Sequence, residues 1–149
     1  LLDALKGWLP VVAVKWWGEA YGLGEGTVAM VGLAAFLGHL YPVFFRFQGG
    51  KGVATAAGVI FGFQPWLGLA ALATWVIMAV FFRYSSLASI VTAVFAPAFF
   101  LLGHRVAWDA PGTQVMSLVV MGMLLVYRHA DNINRLMAGK ESKLGAKKS

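Results

Sequence analysis

The sequence predicts an all-α, polytopic membrane protein with about six transmembrane helices, and three observations predict it. Of the 149 residues, 60% are hydrophobic, with a mean hydropathy of +0.75. Only 12% are charged, against roughly 25% in an ordinary soluble domain. Apolar residues also run continuously, as in VAMVGLAAFLGHLYPVFF and LGLAALATWVIMAVFF, whereas a membrane barrel alternates apolar and polar positions over segments of about ten residues. So apolar and aromatic a chain does not stay disordered. Without cysteine it has no disulfide framework, thiolate metal site or thioester-forming nucleophile. The twelve Lys and Arg against six Asp and Glu leave a net charge of +6. These bases are few and sit at helix ends, which argues against a nucleic-acid partner.

A spanning helix needs about 20 apolar residues. Six segments are candidates: Ala4–Trp17, Val28–Phe45, Val53–Phe63, Trp66–Phe82, Leu87–Leu102 and Val115–Tyr127. The Gly-rich stretch 18–26 separates the first two. Gln64-Pro65 ends one helix and opens another, since proline suits a first helical turn. The polar stretch 103–112 separates the last two. The third segment is short for a full crossing, so it is tilted, extended at its ends or buried among the others. Trp8, Trp16, Trp17, Tyr41, Trp66, Trp75, Trp108 and Tyr127 lie mostly near segment ends, as in an aromatic belt. The chain opens on Leu1 with no basic stretch or cleavage site, so the start is not a signal peptide; it reads as cut from something longer. No internal repeat is visible. One membrane domain is expected over 1–136, followed by a basic tail over 137–149, with AGKESKLGAKKS solvated and frayed.

Alternating crossings put Lys6, Arg46, Lys51, Arg83, Arg128, Arg135, Lys140, Lys143, Lys147 and Lys148 on one face and only Lys15 and Arg105 on the other. Excess Lys and Arg marks the cytoplasmic side. The bias holds only if the short third segment crosses.

Four polar clusters fall on that face. In FRFQGGKGVAT, Gly49, Gly50, Lys51 and Gly52 precede an apolar helix. Glycines let successive N–H groups converge, a helix N-terminus adds positive dipole, and a lysine adds full charge, which suits a phosphate. Thr55 can donate from the first turn. The spacing is not that of a nucleotide-binding GxxxxGK[ST] loop, and a flexible turn with a topology-setting lysine is the structural alternative. In YRHADNINRL, Arg128, Asn132 and Arg135 share one helical face at spacings of four and three, with His129 at its border. Arginines fork onto phosphates and a histidine exchanges a proton near neutrality; the alternative is a snorkelling helix end. In RYSSL, Ser85 or Ser86 is expected to cap the next helix, with a phosphate contact as the functional alternative. In LLDALKG, Asp3 and Lys6 pair locally. His39 lies within the second span and reads as a hydrogen-bonded structural histidine; His104 carries no signal. No HExxH motif, paired carboxylates or His/Cys cluster occurs, so neither a metal nor another cofactor is expected. The convergence of these clusters predicts a small-anion site at the cytoplasmic interface, open sideways to a lipid-like molecule.

Taken in order, LLDALKG, GHLYPVFFRFQGGKGVAT, RYSSLASI and RHADNINRLMAGKES resemble the bacterial membrane glycerol-3-phosphate acyltransferases, the PlsY family, over nearly the whole chain. The resemblance implies an inner-membrane protein with seven helices and a cytoplasm-facing site. Its implied reaction takes an acyl group from acyl phosphate to glycerol-3-phosphate, releasing 1-acylglycerol-3-phosphate and phosphate. It implies glycerol-3-phosphate binding by Gly49, Gly50, Lys51, Gly52 and Thr55, and catalytic roles for Ser86, His129 and Asn132. Glu141 is implied to be structural; Asp3 and Lys6 read as structural from their local pairing. Gln48 departs from the lysine common in the family. The family's first helix and its GSGNxGATN loop, with a serine and an arginine of the site, would precede Asp3. An N-terminal segment is therefore expected to complete the protein, and without it Gly32 and Ala35 would face lipid. The rival readings are a transporter for a phosphorylated metabolite and a purely structural subunit. The transporter reading suffers because no charged residue lies mid-span, where a permeation path usually shows one.

Overall fold

The structure, a computed structural model, describes residues 1–42 and 49–145. Its helices are α1 (Leu2–Trp17), α2 (Glu25–Leu40), α3 (Val53–Phe63), α4 (Pro65–Phe82), α5 (Ser85–Leu102), α6 (Gly112–Arg128) and α7 (Ala130–Met137), with a 3-10 turn at Gly18–Tyr21. The fold is all-α, and no strand occurs among the described residues. Helices α4 and α5 are each long and apolar enough to cross a membrane. Much of α4 faces outward, with Leu69, Leu72, Val76, Ile77, Val80 and Phe81 exposed. An apolar face of that extent needs lipid or protein as its solvent.

Helix α2 differs from the expected Val28–Phe45. It begins at Glu25 and ends at Leu40. Tyr41 leaves the helix at φ −127°, ψ 62°, because a residue before proline, here Pro42, is pushed out of the helical region. Positions 43–45, with Arg46 and Gln48, lie outside the described residues. The start of α5 is a second correction. Its N-cap is Tyr84 and no side chain caps it; both serines lie inside the first turn.

The eleven-residue α3 is buried among the others. It packs on α1, α2, α4 and α6, and Thr55, Ala56, Gly58, Val59, Ile60, Gly62 and Phe63 are all buried. Small residues allow that approach. A Cβ at Gly58 would stand 1.9 Å from the Ala4 carbonyl oxygen, and one at Gly7 2.2 Å from that of Thr55. Gly32 is buried too, against Val59 and Phe63. The expectation that it faces lipid is therefore wrong, while Ala35 is half-buried. At the far end of α3, Lys15 Nζ donates to the carbonyls of Phe63 (2.8 Å) and Gly62 (3.3 Å). A cation there satisfies orphan carbonyls and the helix dipole.

Contacts at the two ends follow the alternation read from the basic residues. Asp3, His39, the 49–52 loop, the α4–α5 turn and the α6–α7 junction meet at one end. Lys15, Gln114 and Glu25, the last two joined by a hydrogen bond, lie at the other. The stretch 103–111 is more than a polar loop: Trp108 packs on Phe99 and Phe100 and donates its indole N–H to the Phe100 carbonyl at 2.9 Å.

Candidate active site

The site begins with the backbone at Gly52. This residue caps α3 at φ +80°, a conformation that L side chains rarely adopt. A Cβ there would also lie 2.4 Å from Phe36 Cε2. The turn aims the first N–H groups of α3, which have no intrahelical partner, towards the same end of the bundle as Lys51. Thr55, in that first turn, is fully buried, and its Oγ1 has no hydrogen-bond partner among the described residues.

The C-terminal motif is broken where a single helical face was expected. His129 has φ −101°, ψ 10° and separates α6 from α7. Arg128 therefore parts from Asn132 and Arg135. Its guanidinium donates to the carbonyls of Gly49 (2.9 Å) and Gly50 (3.2 Å) and lies 5.9 Å from the centre of the Tyr41 ring. Arg135 instead donates Nε to Glu141 Oε2 at 2.8 Å. Both arginines were expected to face a phosphate; the structure ties one to the glycine loop and the other to a carboxylate.

Glu141 is where three chain segments meet. Its side chain is 8% exposed. Oε1 accepts from Ser86 Oγ (2.8 Å) and Asn132 Nδ2 (2.7 Å). With its Nδ2 spent on the carboxylate, Asn132 turns Oδ1 to Lys51, whose Nζ donates to it. Lys51 and Asn132 are 81 residues apart in sequence. Burial opposes the charge on Glu141, but the hydrogen bonds from Asn132, Ser86 and Arg135 outweigh it and hold the carboxyl below its ordinary range.

His129 is buried, and its Nδ1 stands 2.8 Å from the Leu125 carbonyl. A carbonyl only accepts, so Nδ1 carries the proton and Nε2 of the neutral ring keeps its lone pair. Burial, reinforced by the charge of Lys51, depresses the imidazole pKa despite the Leu125 bond and Glu141. The ring is neutral at pH 7 and suited to accept a proton or a hydrogen bond.

The structure thus brings Lys51, Ser86, Asn132, Arg135 and Glu141 into one network, with the glycine loop and Arg128 beside it. Asp3 and Lys6 pair at 3.1 Å. His39 was read as merely structural, yet it links this pair to the loop. Its Nδ1 is 3.7 Å from Asp3 Oδ1, and Nε2 lies 2.8 Å from where a Gly50 Cβ would be. The only sequence signal for that role is its position ten residues before Gly49. The tail also departs from expectation. Arg83, at φ +62°, donates to the Leu144 carbonyl at 2.8 Å and accepts from Leu144 N. Residues up to 145 are therefore tied back through Glu141 and Leu144; Lys147 and Lys148 lie outside the described residues.

These features define a polytopic helical protein with a cationic, hydrogen-bonded site at one end of its bundle. The family model for glycerol-3-phosphate acyltransferase matches residues 1–139, and the chain belongs to that family. A glycerol-3-phosphate acyltransferase of Albidiferax ferrireducens is 60% identical over 147 residues, covering 99% of this chain and 66% of the relative. One of Cupriavidus pinatubonensis is 56% identical over 146 residues, covering 98% and 70%. The chain therefore spans about two-thirds of the length of these relatives. Two crystal structures of PlsY (YgiH), an integral membrane glycerol 3-phosphate acyltransferase, superpose with a TM-score of 0.85 at 41% identity. One is the glycerol 3-phosphate form and the other the lysophosphatidic acid form. They cover 97% of this chain and 68% and 69% of the solved chains.

Proposed function

We propose that the protein transfers a fatty acyl group from acyl phosphate to the 1-hydroxyl of glycerol-3-phosphate at the cytoplasmic face of the bacterial inner membrane. The products are 1-acylglycerol-3-phosphate (lysophosphatidic acid) and inorganic phosphate, and no cofactor takes part. The observation that carries the reading is the contact of Lys51 with Asn132, which joins the phosphate-suited loop to the polar C-terminal motif beside the α3 N-terminus.

Glycerol-3-phosphate is held by its phosphate on Lys51, the first N–H groups of α3 and the free hydroxyl of Thr55, with Arg128 bracing Gly49 and Gly50 from behind. Arg135 acts through Glu141, so its role here is to position rather than to bind. His129 Nε2 accepts a hydrogen bond from the attacking hydroxyl, and Asn132 orients the acceptor. The hydroxyl oxygen forms the new ester bond to the acyl carbonyl carbon. The bond from that carbon to the phosphate oxygen breaks, its electron pair leaves with phosphate, and the hydroxyl proton passes to a phosphate oxygen. A mixed anhydride is already activated, so what the protein supplies is chiefly placement, worth about 7–11 kcal/mol in favourable cases. Ser86 needs no covalent role; its hydroxyl is donated to Glu141, which fixes Asn132 in turn. The membrane domain is 1–136, with 137–149 as a basic tail on the same side.

The test is release of inorganic phosphate from palmitoyl phosphate by the detergent-solubilised protein. Release that depends on glycerol-3-phosphate, with lysophosphatidic acid formed in equal amount, supports the reading. Release without an acceptor, or none from the full-length protein, sinks it.

A further inference from the structure

We propose that His39 is a positioning residue for the acceptor's phosphate: set against Asp3, its ring holds the Gly49–Gly50 backbone so that the loop N–H groups stay turned towards that phosphate. The proposal deepens the acyl-transfer reading above and rests on it.

Gly49 and Gly50 have no side chains to pack, and glycine loses more freedom on ordering than any other residue. Such a loop is either held from outside or ordered by its ligand, at a cost in affinity. Two holds are present. Arg128 takes the loop by its carbonyls, at 2.9 and 3.2 Å. The end of α2 takes it by its Cα atoms. A Cβ at Gly49 would stand 2.2 Å from the His39 carbonyl oxygen and 2.3 Å from that of Leu40, and one at Gly50 2.8 Å from His39 Nε2. Gly50 has no left-handed φ that would call for glycine; the imidazole beside it does.

Peptide geometry gives the consequence. In a planar trans peptide the N–H points opposite to the C=O. The Gly49 and Gly50 carbonyls both turn to one nitrogen, Nη2 of Arg128. The N–H groups of Gly50 and Lys51 therefore turn together the other way, as in an anion-binding nest. Two bonds to a single nitrogen leave the loop free to roll about that contact, and the ring of His39 blocks the roll. His39 is itself fixed. Its side chain is 18% exposed, and Nδ1 stands 3.7 Å from Asp3 Oδ1, an electrostatic contact longer than a hydrogen bond. Lys6 holds Asp3 in turn at 3.1 Å. The series runs along a cavity of about 420 Å³ that, among the described residues, Asp3, Lys6, His39 and Gly50 line and Lys51 and Asn132 do not. His39 thus reaches the network through the loop backbone.

The experiment measures kcat and the KM values for glycerol-3-phosphate and palmitoyl phosphate, beside a thermal melt, in the full-length wild-type protein, His39→Ala, His39→Gln, Asp3→Asn and the Asp3→Asn, His39→Ala double variant. His39→Ala is expected to raise the glycerol-3-phosphate KM about tenfold, the ordering entropy of roughly one glycine expressed as affinity. The kcat and the palmitoyl phosphate KM stay at wild-type values, the mark of lost ground-state binding. His39→Gln, whose amide nitrogen reaches the Nε2 position, restores most of the loss. Asp3→Asn raises the same KM, and the double variant is no worse than His39→Ala, because both act through one contact. If His39→Ala does not fold, His39→Asn carries the test: its amide reaches only the Nδ1 position, beside Asp3, and the KM rises as for alanine. Folded His39 variants with the wild-type glycerol-3-phosphate KM, a fall in kcat and melting temperature alone, or Asp3 and His39 effects that add, overturn the proposal and leave the acyl-transfer reading standing. A full-length wild-type protein that releases no phosphate in response to glycerol-3-phosphate overturns both.

Discussion

Lys51 is exposed and spends one of its three ammonium donors on Asn132, leaving two for a phosphate. Lys51→Ala thus removes a charge-assisted contact worth about 1.5–3 kcal/mol. It is expected to raise the KM for glycerol-3-phosphate by roughly ten- to a hundredfold with little change in melting temperature; steady-state kinetics beside a thermal melt check this. Glu141 is the converse case. Glu141→Ala leaves Ser86 and Asn132, both buried, without their acceptor, at about 1–3 kcal/mol for each orphaned group. This variant melts at lower temperature, and activity falls with it because Asn132 loses its orientation. The two ionisable groups of the network also set an acid limit. In the folded protein His129 lies below the ordinary imidazole value of 6.5, and Glu141 below the ordinary carboxyl value of 4.5. In each case the unfolded chain binds protons more readily, so the stability these groups contribute is complete above the unfolded value and is lost as pH falls through the folded one. Melting temperature should therefore begin to fall just below pH 6.5 from His129, with a second decline below 4.5 from Glu141. A His129→Gln variant is expected to keep only the second decline.

At the level of elements, α3 depends on how closely α1 can approach it. Gly58→Ala drives a methyl group into the Ala4 carbonyl, 1.9 Å away. A backbone neighbour cannot rotate aside, so the helices must part, at about 1–3 kcal/mol for overpacking of this kind. Thermal melts of Gly58→Ala beside Gly26→Ala, where nothing lies within 4 Å of the added methyl, separate the packing cost from any effect of removing glycine. Most helices were legible from the length and continuity of the apolar runs, and α3 was read to the residue, because Gly52 and Gln64-Pro65 mark its ends chemically. Where reading failed, tertiary contacts decided. Nothing local says that the helix breaks at His129, so the regular spacing of Arg128, Asn132 and Arg135 suggested one face that does not exist. Ser86 looks like an N-cap by composition, but its hydroxyl is claimed by Glu141, 55 residues away. His39 and Trp75 each find their partners on another helix, where no pattern along the chain can reveal them.

For the whole molecule, the question is which way the bundle faces. Among the described residues, Lys6, Lys51, Arg83, Arg128, Arg135, Lys140 and Lys143 belong to the end that holds the network, against Lys15 and Arg105 at the other. Lys15 is moreover committed to the C-terminal carbonyls of α3, so it answers a structural need of that helix as well as any topological one. The short α3, about 16 Å long at 1.5 Å per residue, is what allows the bias to be so one-sided. It carries the chain from the network end at Gly52 to the Gln64-Pro65 turn at the other; without that crossing, Arg83 and the α7 region would fall on opposite faces. By the positive-inside rule we propose that the network end faces the cytoplasm, where a soluble acceptor such as glycerol-3-phosphate would reach it directly. Because the chain has no native cysteine, single cysteines report without background. Lys6→Cys and Lys140→Cys, both at exposed positions of the network end, are expected to react with a membrane-impermeant thiol reagent only when the cytoplasmic side is opened. Val106→Cys, 85% exposed in the opposite loop, is expected to react in intact cells. Labelling of position 6 or 140 from outside would reverse the orientation, and would leave the proposed site facing away from its acceptor.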